Sequence, residues 1–160
     1  MALGRGGAGA SGPLIDKLDI RPLSEDEVIA HIEAFIEVAR DVDGEYWGRQ
    51  HFLKPLADKW NLSLAAWVEK RPVGYAILSR KSPIQAHLHH LMVANDQRGQ
   101  RLGERLLALT IERCIEQGFT EITLKIAPSN RAASRFYKLH GFVNAGQDNG
   151  YDVVRRAFSP

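Results

Sequence analysis

Arg98-Gly99-Gln100-Arg101-Leu102-Gly103 separates an apolar, strand-like run, Leu88 to Val93, from a helix-like run, Glu104 to Cys114, and its reading decides the fold. A glycine-containing turn that leads from a strand into a helix presents unpaired backbone N–H groups and the positive end of the helix dipole, so it can hold a phosphate. Gly99 and Gly103 keep side-chain bulk out of such a corner, while Arg98 and Arg101 add positive charge. Read without its surroundings, the same stretch is also a plain helix start with solvated arginines. It is neither G-x-G-x-x-G nor G-x-x-x-x-G-K-[ST], because no Lys-Ser or Lys-Thr follows. Directly upstream, His87-Leu88-His89 puts two imidazoles on one face of the incoming strand, and alternation turns His90 to the other face as a packing residue.

Beyond the loop, Leu107, Ile111, Cys114 and Ile115 recur at helical spacing, and Gly118 stands where a left-handed residue closes a helix. Ile122, Leu124 and Ile126 alternate as a strand over 121–126. A short helix over 132–139 is stopped by His140-Gly141, and 142–145 and 151–156 read as a final pair of strands. Upstream, β-rich runs over 62–69 and 73–79 flank Lys70-Arg71-Pro72 at hairpin spacing, and 86–93 is the next strand. Ser24 with Glu27 forms a capping-box pattern ahead of Val28, Ile32, Phe35, Ile36 and Ala39, which predicts a helix over 25–40. Residues 18–22 read as a first strand, and 46–60 as an aromatic-rich helical or irregular segment. Helices intercalated in a mostly sequential sheet describe an α/β or α+β domain.

A chain of 160 residues suits one domain with a real core. Residues 1–13 are mostly Gly, Ala and Ser, too poor in apolar surface to order themselves, so they read as a disordered or tag-derived N-terminus ahead of one domain over 14–160. The 21 Lys and Arg against 19 Asp and Glu leave a net charge of +2, which supplies no broad field for nucleic acid or an anionic membrane. Neither is expected as a partner. No run approaches the roughly 18 apolar residues that span a bilayer, and no apolar signal-peptide core is visible, so a cytoplasmic location is expected. The lone Cys114 lies in a buried helical stripe and reads as core rather than as a nucleophile.

His87-Leu88-His89-His90-Leu91-Met92-Val93, followed by Arg98 to Gly103 and Leu106-Leu107, resembles the acetyl-CoA-binding region of the GNAT superfamily of N-acyltransferases, whose strand, R/Q-x-x-G-x-G/A loop and helix hold the coenzyme. Asn130, Ala133, Phe136-Tyr137 and Gly141-Phe142 are similar to that family's second signature, an Asn followed by a short helix that carries a Tyr and ends in Gly-Phe. The two signatures cover about half the chain; the first half resembles the family only in its pattern of elements. Arg101 departs from the pattern, which has Gly there. With helical φ/ψ its amide would still face the pyrophosphate, its side chain lying outward or adding a phosphate contact. The resemblance implies a single GNAT-like domain with a central mixed, largely antiparallel sheet flanked by helices. It also implies acetyl-CoA as co-substrate, held by Leu91, Met92, Val93, Arg98, Gly99, Gln100, Arg101, Leu102, Gly103, Glu104, Asn130 and Ala133. Asn130 is equally suited to capping the helix that follows it.

Ala86-His87-Leu88-His89, with Leu91 and Val93, is similar to the same strand of serotonin (arylalkylamine) N-acetyltransferases, where two histidines act through ordered water as the base. An amine arrives mostly as ammonium, and imidazole, with a pKa of about 6.5, is suited to take its proton at neutral pH. The resemblance thus implies His89 as base, His87 as its relay partner and Tyr137 as the acid that protonates the departing thiolate. The reaction it implies is direct acetyl transfer to a primary amine, whether a small amine, an amino sugar or a peptide amine, with no metal and by a monomer or homodimer. The acceptor pocket of such folds would include Glu45, Tyr46, Trp47, Trp60, Trp67, Asp148 and Tyr151, a set that suits a cationic amine. Two other classes stay open. One is a catalytically silent CoA-binding or interaction module. The other is a metal-dependent enzyme using His87 and His89, since His-x-His can chelate zinc if further ligands converge.

Overall fold

Seven strands form one sheet in the computed structural model, which describes residues 17–158. They are Leu18–Pro22 (β1), Leu64–Val68 (β2), Arg71–Arg80 (β3), Gln85–Val93 (β4), Glu121–Ile126 (β5), Val143–Asp148 (β6) and Tyr151–Ala157 (β7). Their order across the sheet is β1-β2-β3-β4-β5-β7-β6, and every neighbouring pair is antiparallel except β4 with β5. The expected mixed, largely antiparallel sheet is therefore present. The N-terminal stretch 1–13 read as disordered lies outside the described residues, as do 14–16 and 159–160 of the expected domain.

Among the described residues six α-helices flank the sheet: Glu25–Ala30 (α1), Ile32–Val38 (α2), Arg49–Leu53 (α3), Lys59–Leu62 (α4), Leu102–Glu116 (α5) and Arg131–Leu139 (α6). The Ser24 hydroxyl accepts from the Glu27 amide at 3.2 Å, so the predicted cap forms. The helix predicted over 25–40 instead breaks at His31, whose φ of −120° leaves the helical region and whose ring packs edge-on against Trp67, 5.1 Å away between centroids. Tertiary packing thus overrides a continuous periodic pattern.

Gly74 of β3 shows how the helices seat on the sheet. A Cβ there would stand 3.0 Å from Leu106 Cδ1 and 3.1 Å from the Met92 carbonyl, so bare backbone is what lets α5 lie down on β3 and β4. Leu102, Leu106, Leu107, Ile111 and Cys114 form the buried stripe of α5. Burial pushes the Cys114 thiol up to about 12, which keeps it an inert core group. Tyr75, the next residue in β3, faces the other way into Phe35 and Phe52. Gly118 ends α5 at φ +89°, with the Phe119 amide donating to the Cys114 carbonyl, as the sequence predicts.

Two irregularities in β4 position the site. Parallel pairing with β5 covers only Gln85 to Leu88 against Glu121 to Leu124 and then stops. Pairing with β3 shifts register between Ile77 (opposite His90) and Leu78 (opposite Leu88), which makes His89 the extra residue of a bulge. The second half of β4 is held on one edge by β3 and released on the other. Among the described residues no helix is long and apolar enough to cross a membrane.

Candidate active site

Where β5 leaves β4, a cleft of about 410 Å³ opens. Leu88, His89, His90 and Leu91 line it from β4, and Leu124 to Ala127 from β5 and its exit. Asn130, Ala133 and Tyr137 face it from α6, Gly44, Glu45 and Trp47 from the segment before α3, and Tyr151 from β7. The two halves of the chain meet here, so residues about 90 positions apart share one wall.

His90 differs from its reading as a residue on the opposite face. The bulge at His89 breaks strict alternation, so consecutive histidines both reach the cleft. The His90 ring stacks on Trp47 with centroids 4.6 Å apart and planes 7° from parallel. Its Nδ1 lies 2.9 Å from the Tyr75 hydroxyl and its Nε2 2.9 Å from Glu45 Oε2. Glu45 is held below the usual carboxylate range: burial opposes its ionisation, and the hydrogen bond from His90 favours it. An ionised carboxylate only accepts, so Nε2–H donates to Glu45 and Nδ1 accepts the Tyr75 O–H. Asn130 Nδ2 donates to the other Glu45 oxygen at 3.2 Å, and Asn130 Oδ1 caps α6 by accepting from the Ala133 amide at 3.1 Å. One hydrogen-bonded chain thus runs from the sheet interior to the first turn of α6.

Tyr137 is buried between Phe136 and Phe142. Burial, and then the nearby Glu45 charge, push its phenol well above the ordinary tyrosine range, so it keeps its proton.

His87 and His89 come together as their spacing predicts, with ring centroids 4.8 Å apart. Each leans on a hydroxyl from a neighbouring strand: His89 Nε2 lies 2.7 Å from Ser79 Oγ, and His87 Nδ1 lies 2.8 Å from Thr123 Oγ1. The pKa near 6.5 expected from residue type does not hold. Burial, reinforced by His89, Lys81 and Lys125, lowers His87 to about 3. Burial, with Lys59, Lys54 and Lys125, lowers His89 to about 4. Both rings are neutral at pH 7. Only His89 borders the cleft; His87 and His89 share an adjoining pocket.

The loop after β4 departs from expectation at both arginines. Instead of offering charge to a phosphate, the Arg98 side chain is buried, with its Nη atoms on Asp41 at 2.5 and 2.9 Å and its Nε on the Val93 carbonyl at 3.0 Å. Arg101, expected in helical conformation, has φ +61° and forms the cap of α5, while Gly99 has φ +81°. No side chain caps α5, and its first backbone bond runs from the Arg105 amide to the Arg101 carbonyl, so the Leu102, Gly103 and Glu104 amides have no acceptor within the helix. Met92, Val93 and the loop do not line the cleft; Gln100, Arg101, Leu102 and Glu104 border a separate cavity of about 310 Å³.

Of the residues expected around an acceptor, Glu45, Trp47 and Tyr151 line the cleft and Asp148 the adjoining pocket. Tyr46 is exposed, Trp67 is core, and Trp60 packs against the core under the Lys59 ammonium. Ser79, Thr123 and Lys125 carry no sequence signal, because cross-strand pairing alone brings them here. Among the described residues no three His, Cys, Asp or Glu side chains converge as a metal site would require.

The family profile described as Acetyltransferase (GNAT) family matches residues 24–142. This chain belongs to the GNAT acetyltransferase family. A Bacillus subtilis protein provisionally assigned as a [ribosomal protein bS18]-alanine N-acetyltransferase is 31% identical over 75 residues. That match covers 43% of this chain and 50% of the relative, so the chain spans about half the length of the curated protein it resembles. Ard1 from Thermoplasma volcanium superposes with a TM-score of 0.76 at 23% identity, covering 90% of this GNAT chain and 99% of its own. The PaiA N-acetyltransferase from Thermoplasma acidophilum, solved in complex with coenzyme A, gives 0.69 at 20% identity over 88% of this chain and 99% of its own. At these identities the two structures establish a shared fold.

Proposed function

We propose that this GNAT domain transfers the acetyl group of acetyl-CoA directly to a primary amine, with Tyr137 as acid and His89, backed by His87, as base. The observation that carries the reading is the cleft between β4 and β5, with His89 on one wall and Tyr137 on the other. Acetyl-CoA supplies the activated thioester. The freed edge of β4 from His89 to Val93 offers backbone donors and acceptors for the pantetheine arm and the acetyl carbonyl. The uncapped start of α5, after left-handed Gly99 and Arg101, offers amides and a helix dipole to the diphosphate. Exposed Arg101 adds positive charge there.

Tyr137 can take the acid role because its phenol is protonated at neutral pH and lines the cleft, while burial makes it a weaker donor than an ordinary tyrosine. Neutral His89 is ready to accept the proton that the attacking nitrogen sheds. Glu45 gives the same cleft a negative charge beside which an ammonium group can settle. Likeness to a protein assigned to an alanine of a ribosomal protein favours a peptide N-terminal amine over a small amine.

Calorimetry with acetyl-CoA, followed by thiol release over peptide and small-amine panels, tests the reading. Tyr137→Phe should retain coenzyme affinity and lose about 10²- to 10⁴-fold in kcat. An undiminished rate in the His87→Ala, His89→Ala double variant removes both histidines from the mechanism. Coenzyme binding without transfer to any amine returns the chain to the silent-module class.

A further inference from the structure

We propose that the pocket adjoining the cleft is an anion subsite, and hence that the acceptor is an amine carrying a carboxylate. This rests on the acetyl-transfer reading and deepens it. The pocket, of about 510 Å³, shares Leu88, His89 and Lys125 with the cleft, so one acceptor molecule can occupy both.

Its charges are unbalanced. Arg80, Lys81 and Lys125 line it against one carboxylate, Asp148. Asp148 is taken by Lys125 at 2.7 Å, and Arg80 is taken by Asp58 at 2.5 Å from outside the pocket. Lys81, exposed in the turn before β4, makes no ion pair among the described residues, although Glu121, held by Arg155, lies within its field. Lys54 and the buried Lys59 add positive charge on the side of His89, and the Lys59 ammonium is held by the carbonyls of Phe52 and Lys54 rather than by a carboxylate.

The uncharged lining has the same preference. Ser79 and Thr123 each occupy one nitrogen of an imidazole, and His89 Nδ1 and His87 Nε2 make no hydrogen bond among the described residues. When Thr123 donates to His87, the second nitrogen of that ring carries N–H, a donor a carboxylate accepts and an ammonium cannot use, while His89, whose Nε2–H donates to Ser79, keeps the Nδ1 lone pair that a base needs. An ammonium would meet an excess of like charge here, since Asp148 is already held by Lys125, whereas the cleft carries the Glu45 carboxylate. The two pockets together are therefore graded, with a carboxylate on the wall where the amine reacts, Lys125 at the boundary they share, and an excess of cations where the tail lies. A purely cationic amine, the expectation from the aromatic and acidic residues alone, satisfies only one end.

Two measurements on the full chain test this. Titration with glutarate, followed by imidazole NMR signals, should shift His87 and His89 saturably, and Lys81→Glu should weaken that binding about tenfold or more. Thiol release should then be compared for free amino acids against their amides, and for peptides with Asp against Asn after the terminal residue. The wild type should favour the carboxylate in one pair by about tenfold in kcat/KM, and Lys81→Glu should bring that ratio to within about twofold of unity. The pair that shows the preference tells a free amino acid from an acidic peptide terminus. Transfer without carboxylate preference, or a preference that survives Lys81→Glu, overturns the subsite and leaves acetyl transfer standing. Absence of transfer to every amine overturns the enzymatic reading, while the glutarate titration still decides the subsite by itself.

Discussion

Arg101 adopts a left-handed backbone, φ +61°, that costs an L-residue about 1–2 kcal/mol and costs glycine nothing. The glycine of the family pattern at this place therefore answers a backbone requirement rather than a need for space. Arg101→Gly should raise stability by up to about 1 kcal/mol in thermal unfolding, part of the gain being lost to the freer unfolded chain. Acetyl-CoA affinity should stay within about tenfold, or 1.4 kcal/mol, by calorimetry. His89 makes a second prediction at this scale. Its depressed pKa keeps it neutral at every pH above about 4. The pH profile of kcat/KM should consequently pass through 6.5 without an inflection and climb toward the pKa of the amine. A clear limb near 6.5 would mean that a histidine in an ordinary environment is the base.

At the scale of elements, β4 is the part on which everything turns. The bulge at His89 and the end of parallel pairing at Leu88 lie side by side, and together they convert a continuous strand into the wall of a cleft. Holding that wall requires α5 pressed close on β3. Gly74→Ala would set a methyl 3.0 Å from Leu106 and 3.1 Å from a carbonyl that cannot move freely, so it should cost about 1–3 kcal/mol in urea unfolding. The loop between β4 and α5 is strapped by Arg98 to Asp41 and to the Val93 carbonyl. Arg98→Met leaves that carbonyl without the guanidinium and should cost about 2 kcal/mol. It should also weaken acetyl-CoA binding, although this guanidinium is committed to protein groups. If affinity is unchanged while stability falls, the loop needs no strap to hold its shape.

For the molecule as a whole, the buried histidines set its response to acid. His87 at about 3 and His89 at about 4 titrate below the unfolded value of about 6.5, and His90 is lowered in the same direction by burial. As pH falls through 6.5 the unfolded chain takes up protons that the folded chain refuses, so their stability contribution is complete above 6.5 and is lost between there and about 3. The carboxylates held low, Asp41, Asp58 and Glu121 among them, act in the same sense but only below the ordinary carboxylate range. Between pH 7 and 5 the histidines dominate. The urea midpoint should fall over that interval, and a His87→Gln, His89→Gln variant should flatten the dependence.

Periodicity and turn chemistry are local, so the order of strands and helices, the Ser24 cap, the glycine end of α5 and the loop after β4 were all readable along the chain. So was the pairing of His87 with His89, which needs only two-residue alternation. The break at His31, the bulge that delivers His90, the burial of Arg98 and the lysines around the histidines were not readable in that way. Each depends on which strand lies beside which and where that pairing stops, a balance struck between residues tens of positions apart. Charge on an imidazole follows burial and distant neighbours rather than residue type, and only the folded chain brings Lys54, Lys59, Lys81 and Lys125 around one pair of rings.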